Sequence, residues 1–171
     1  QSLAKDLQVA HPTVRRWMDW FSRLYVTFVL RPYAKRLARS LKKQPKVYLW
    51  DWSEVVDRGA RFENLVAGHL LKAAHFWTDA GIGTFELTYV RDKEKREVDF
   101  LVLRDRRPWL LAECRLSDAT PSPHLRTFAT ILKPTHVLQI VGASGLHEWF
   151  DLEGHEKGVL IGADSFLRWL P

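Results

Sequence analysis

The sequence holds a single cysteine, Cys114, so no disulfide can close within the chain, and the setting expected for it is reducing and cytoplasmic. It has no apolar run near the roughly 18 residues that cross a membrane, and no signal-peptide core, so no membrane partner is expected. No Gly-x-x-x-x-Gly-Lys-Ser/Thr loop occurs, so ATP is not expected to bind to these residues. Between residues 31 and 46, RPYAKRLARSLKKQPK, there is no acid at all against seven Lys or Arg. The chain opens on Gln1 rather than Met, straight into a helical pattern, and is read as a piece of a longer protein.

What the sequence does hold is ample core material, 46% hydrophobic residues with eight Trp among 171. That length suggests one or two domains at roughly 100–200 residues each. The net charge of +6 is unevenly placed, because residues 1 to 57 carry eleven Lys or Arg against five acids while residues 58 to 171 carry fifteen of each. A basic segment beside a neutral one suggests two modules, 1–57 and 58–171, the first facing a polyanion, with DNA the expected partner.

Leu3, Ala4, Leu7 and Val9 predict a short amphipathic helix, and Gln8 to His11 a turn. A second helix begins at Pro12 in the favoured first-turn position, with Val14, Trp17, Met18, Phe21 and Leu24 on its inner face. Thr13, Arg15, Arg16, Asp19 and Arg23 form its exposed face. This pair resembles a helix-turn-helix, and strands at Tyr25–Leu30 and Val47–Trp52 would make it winged. Thr13, Arg15, Arg16, Arg31, Lys35, Arg36, Lys42 and Lys43 are the candidate phosphate contacts. The competing reading is a protein-contact module with a solvated basic loop. Trp17, Trp20, Trp50 and Trp52 are spaced for core packing rather than for stacking on bases.

Asp57-Arg58-Gly59 marks the boundary. RFENLVAGHLLKAAHF, residues 61 to 76, is the clearest helix, with Phe62, Leu65, Val66, His69, Leu70 and Ala73 at helical spacing. Glu63 is a first-turn acid that suits the helix dipole. His69 reads as a packing residue, since neither a second His at i+4 nor a Cys pair accompanies it. Gly81 and Gly83 punctuate a loop before a strand at Thr84–Val90. Val98, Phe100, Leu101, Val102 and Leu103 then form one apolar run and Trp109 to Ala112 another, joined by Asp105-Arg106-Arg107-Pro108 as a β-hairpin. Ser122 is positioned to cap a helix over His124–Leu132. A strand follows at Thr135–Val141, and Val159–Leu170 closes with a strand and a short helix. Helix, three strands, helix, strand makes an α/β core.

The hairpin has acids where an apolar core should be. Asp99 lies inside the first run and Glu113 closes the second, at a cost unless a cation joins them. Mg²⁺ or Mn²⁺ would remove that cost, since such ions take one or two carboxylates plus water and phosphate oxygens. Arg115, two residues beyond Glu113, projects from the same strand face. Glu97 shares a face with Asp99 and is either a supporting group or simply exposed.

These residues carry a resemblance. Val98-Asp99-Phe100 followed by Glu113-Cys114-Arg115 resembles the Asp, spacer, Glu-x-(basic) pattern of the PD-(D/E)xK nuclease-like superfamily. PYAKRLARSLKKQPKVY at 32–48, GARFENLV at 59–66 and REVDF at 96–100, in that order, look like the region that follows the ATPase module in many prokaryotic AAA-type ATPases. The resemblance implies a winged helix-turn-helix followed by a restriction-endonuclease-like α/β domain with a central mixed sheet. It also implies an N-terminal ATPase module as partner, metal held by Glu63, Asp99 and Glu113, and chemistry shared by Asp99, Glu113 and Arg115. Arg115 stands where the pattern has Lys. A guanidinium stays charged and donates in a fixed fork, so it suits charge stabilisation and not proton abstraction. The expected activity is metal-dependent phosphodiester hydrolysis, with a catalytically silent interaction platform as the alternative.

Overall fold

A computed structural model describes residues 3–33 and 44–171; Lys35, Arg36, Lys42 and Lys43 lie outside the described residues. The first helix is a single turn, α1 (Leu3–Asp6), and α2 spans His11–Arg23 with Pro12 in its first turn. Two short antiparallel strands follow, β1 (Thr27–Leu30) and β2 (Lys46–Leu49). Both are shorter than the sequence predicts. Tyr25 takes a left-handed φ of 55° that delays β1. Asp51 accepts from Ser53 N and Oγ, which starts a 3₁₀ turn at Trp52–Glu54 in place of more strand.

The expected inner face of α2 is not buried. Trp17, Phe21 and Leu24 are 41%, 44% and 66% exposed, and α2 has no buried residue. One helical turn and a two-stranded hairpin supply too little surface to cover an amphipathic helix. Trp20, Trp50 and Trp52 are exposed as well, against the expectation of core packing.

Helix α3 runs Arg58–Asp79, three residues longer at each end than the periodicity predicts. The cause at the start is Asp57, whose carboxylate accepts from Ala60 N at 2.8 Å and caps the first turn. Strands β3 (Phe85–Arg91), β4 (Glu97–Arg104) and β5 (Arg107–Arg115) form an antiparallel meander. The β4–β5 turn places Asp105 and Arg106 at φ 52° and 64°, the two left-handed residues of a tight hairpin. Helix α4 (Pro123–Leu132), capped by Ser122, then crosses to β6 (His136–Val141), parallel to β5.

The end of the chain differs from expectation. A strand β7 (His147–Leu152) forms an antiparallel hairpin with β8 (His155–Gly162), before α5 (Ala163–Arg168). Four of the six β7 residues face solvent, so the strand has little apolar alternation to reveal it. Gly158 allows the pairing: a Cβ there would lie 2.1 Å from the Phe150 ring.

The six strands lie in the order β3-β4-β5-β6-β8-β7. One face of the sheet packs Phe100, Val102, Ile140 and Ile161 against Phe62, Val66 and Leu70 of α3 and Phe166 of α5. The other packs Leu101, Leu103 and Leu111 against Leu125 and Phe128 of α4. The amino-terminal residues join the first of these cores through Phe28, Leu30 and Tyr48. They also extend the sheet edge, with Tyr33 N donating to Tyr89 O at 2.7 Å and Tyr89 N to Arg31 O at 3.2 Å.

Candidate functional site

The acids of interest sit where β4 departs from regular pairing. Between the pairs Thr88↔Leu101 and Val90↔Val98, β3 advances two residues and β4 three, so β4 carries one extra residue at Asp99-Phe100. Such a bulge re-aims a side chain. Val98 enters the α4-side core and Phe100 the α3-side core, while Asp99 turns toward α3 and β2.

Lys46, the first residue of β2, is the centre of the cluster. Its Nζ lies 2.8 Å from Glu63 Oε1, 2.8 Å from Glu97 Oε1 and 2.9 Å from Asp99 Oδ1. Burial opposes its charge, but Asp99 and then Glu63 outweigh that, and its pKa is raised above the ordinary lysine value. Tyr48, two residues on and on the same strand face, donates to Glu63 Oε1 at 2.6 Å. Burial and the charge on Glu63 keep that hydroxyl protonated. Arg91 pairs with the other oxygen of Glu97 and lies over the Tyr89 ring.

Asp99 has a second bond, accepting at Oδ2 from Cys114 N at 3.0 Å, which ties it to β5 beside Glu113. Glu113 is 5% exposed. Its Oε1 accepts from Arg115 at 2.7 Å, while Oε2 is buried with no hydrogen-bond partner among the described residues. Desolvation, then the charge of Asp99, push its pKa up to about 7, against the pull of Arg115 and Lys46. The Ser122 hydroxyl also pulls it down but makes no hydrogen bond to Oε2; its oxygen caps α4 at Leu125 N.

The structure thus brings Glu63, Asp99, Glu113 and Arg115 together, from α3, β4 and β5. Arg115 pairs with Glu113 and is 41% exposed at its side chain. The cation shared among the other acids is Lys46, and Glu97 is a direct member of the group. The sequence offers Lys46 only as the last of seven basic residues in 31–46, with no role of its own. The available signal was alternation: Tyr48 is a core aromatic, so Lys46 shares its inward face. Asn64 was missed too. It is buried and clamps β2 to α3 by accepting from Leu49 N at 2.9 Å and donating to Leu49 O at 2.7 Å.

Thr13, Arg15 and Arg16 lie apart from this cluster on α2, Arg15 and Arg16 exposed and Thr13 half-buried. Arg31 is exposed beside the β3 edge. His69 is half-buried, with its pKa lowered by desolvation and by Lys72.

A metal fits the donor set but not its present arrangement. In favour stands Glu113 Oε2, buried without a hydrogen-bond partner among the described residues. Against it, the ammonium of Lys46 takes the position among Glu63, Glu97 and Asp99, and the described residues hold no ready group of three His, Cys, Asp or Glu for an ion.

Fold and site together define a mixed α/β protein whose six-stranded sheet carries a carboxylate cluster closed by lysine. The chain belongs to the family described as Domain of unknown function (DUF4143), whose model matches residues 58–149. Residues 1–55 match a second model, Domain of unknown function (DUF8612). No curated protein matches the chain. Among solved structures, a chain from an assembly of Thermococcus gammatolerans McrB AAA+ hexamers with bound McrC is similar at TM-score 0.47 and 13% identity, covering 63% of this chain. The similarity spans 28% of that chain. Among the described residues no helix is long and apolar enough to cross a membrane.

Proposed function

We propose that this chain is a nucleic-acid-associated module of an AAA-type ATPase, with residues 1–57 as a basic contact unit and 58–171 as a PD-(D/E)xK nuclease-like unit. The observation that carries the reading is buried Glu113 beside Asp99, two carboxyl groups on adjacent strands with one oxygen lacking a hydrogen-bond partner among the described residues. The succession α3, an antiparallel meander, α4 and a parallel β6 supports it, being the order the resemblance implies. So does the association of this family with C-terminal regions of AAA ATPases.

In this reading Glu63, Asp99 and Glu113 would hold Mg²⁺ or Mn²⁺, which when bound supplies an activated water to a phosphodiester. Arg115 orients Glu113 and offers fixed positive charge to a phosphate oxygen. The bulge at Asp99 and the Cys114 N–H hold that carboxylate against β5. Asp99→Ala should abolish Mn²⁺-dependent cleavage of plasmid DNA while DNA affinity stays nearly unchanged. Equal cleavage by variant and wild type counts against the assignment. The three ion pairs of Lys46 favour a second reading, a silent module that targets the attached ATPase, and complete absence of cleavage by the wild type would support it.

A further inference from the structure

The charges around the cluster do not balance. Four carboxyl groups, Glu63, Glu97, Asp99 and Glu113, face three cations, Lys46, Arg91 and Arg115. The group is one positive charge short when every acid is ionised. Lys46 gathers three of the four acids, each through one oxygen, onto a shell of 2.8–2.9 Å about a single point. Mg²⁺ needs oxygens at about 2.0–2.1 Å, a contraction that long Glu side chains can supply once the ammonium has left. A divalent ion in that place would neutralise all four acids with the two arginines.

We infer that Lys46 is a built-in competitor of the divalent ion, and that metal reaches Glu63, Asp99 and Glu113 by displacing its ammonium from Glu63 and Asp99, while Glu97 stays with Arg91. This rests on the reading of these acids as a metal site and adds its regulation. Because β2 also contributes Tyr48 to Glu63 and is clamped through Leu49 to Asn64, the exchange changes what the amino-terminal hairpin holds on to. The state of the site is thereby coupled to the segment that carries the basic residues. One ammonium thus both satisfies the acids without metal and sets how strongly metal must bind.

The test is an Mn²⁺ titration of the whole chain as wild type, Lys46→Met and Lys46→Met/Glu97→Gln, following free Mn²⁺ by electron paramagnetic resonance and folding by circular dichroism. The double variant removes one acid with the lysine, so it keeps the fold if the single variant loses it to repulsion between unpaired carboxylates. Variants should bind Mn²⁺ about tenfold or more tighter than wild type, and their melting midpoints should rise with Mn²⁺ more than that of wild type. In wild type, saturating Mn²⁺ should increase acylation of Lys46 seen by mass spectrometry, a readout that needs no variant to fold. Wild-type binding as tight as that of the variants, or Lys46 acylation unchanged at saturation, overturns the competition and leaves the metal site standing. A folded double variant that binds no Mn²⁺ removes the metal site and the inference with it.

Discussion

At the scale of single residues, Glu113 has the clearest energetic consequence. Its folded pKa of about 7 stands above the ordinary 4.5, so the native state holds a proton that the unfolded chain releases. The stability this contributes is complete below about pH 4.5 and is lost as pH rises through about 7, roughly 3 kcal/mol in all. Glu113→Gln keeps an acceptor for Arg115 and removes the titration. Thermal melts from pH 4 to pH 8 should show wild-type stability falling more steeply with pH than that of the variant; parallel curves would refute the assignment. Asp99 and Glu113 stand out in the sequence because acids inside apolar runs are conspicuous, and Arg115 follows from strand alternation. Lys46 was hidden among the seven basic residues of 31–46, where only its register with Tyr48 tells it apart.

At the scale of elements, the joint between α3 and β2 depends on Asn64. One buried amide satisfies both backbone groups of Leu49, so Asn64→Ala removes two hydrogen bonds and leaves Leu49 N–H and C=O wanting partners. A loss of about 2 kcal/mol is expected, measured as a lower urea midpoint with little change in slope. Asn64→Ala with wild-type stability would mean that water replaces the amide. The same joint supports Tyr48 and Lys46, so the variant should also weaken the effect of Lys46 substitution, which a double-mutant cycle would measure. Helix α3 and the β4–β5 hairpin were readable from periodicity and turn residues. The β4 bulge was not, since no residue type marks it, and β7 was missed because it lies mostly in solvent.

At the scale of the whole molecule, positive charge is concentrated in the first third, and one of its cations, Lys46, closes a carboxylate cluster that lies wholly in residues 58–171. Arg15 and Arg16 are exposed on α2, and the proposed DNA contact is tested through them. Arg15→Ala/Arg16→Ala should weaken DNA binding and flatten the plot of log K against log salt by up to about 1.8, at about 0.9 for each phosphate no longer neutralised. An unchanged binding curve at low salt would assign α2 to protein contacts, with its uncovered Trp17, Phe21 and Leu24 as the surface concerned.

Local reading of the chain reaches the mixed α/β class, the long helix, the hairpin and the acids that stand out in apolar surroundings. These follow from local periodicity, turn chemistry and the cost of burying charge, all of which act over a few neighbouring residues. Which cation meets those acids depends on contacts between distant segments. Lys46 and Asp99 are 53 residues apart, and only the docking of β2 on α3 and the extra residue in β4 bring them within 2.9 Å. Ion pairing acts through space, so a chain-order reading finds the charges but not their partners.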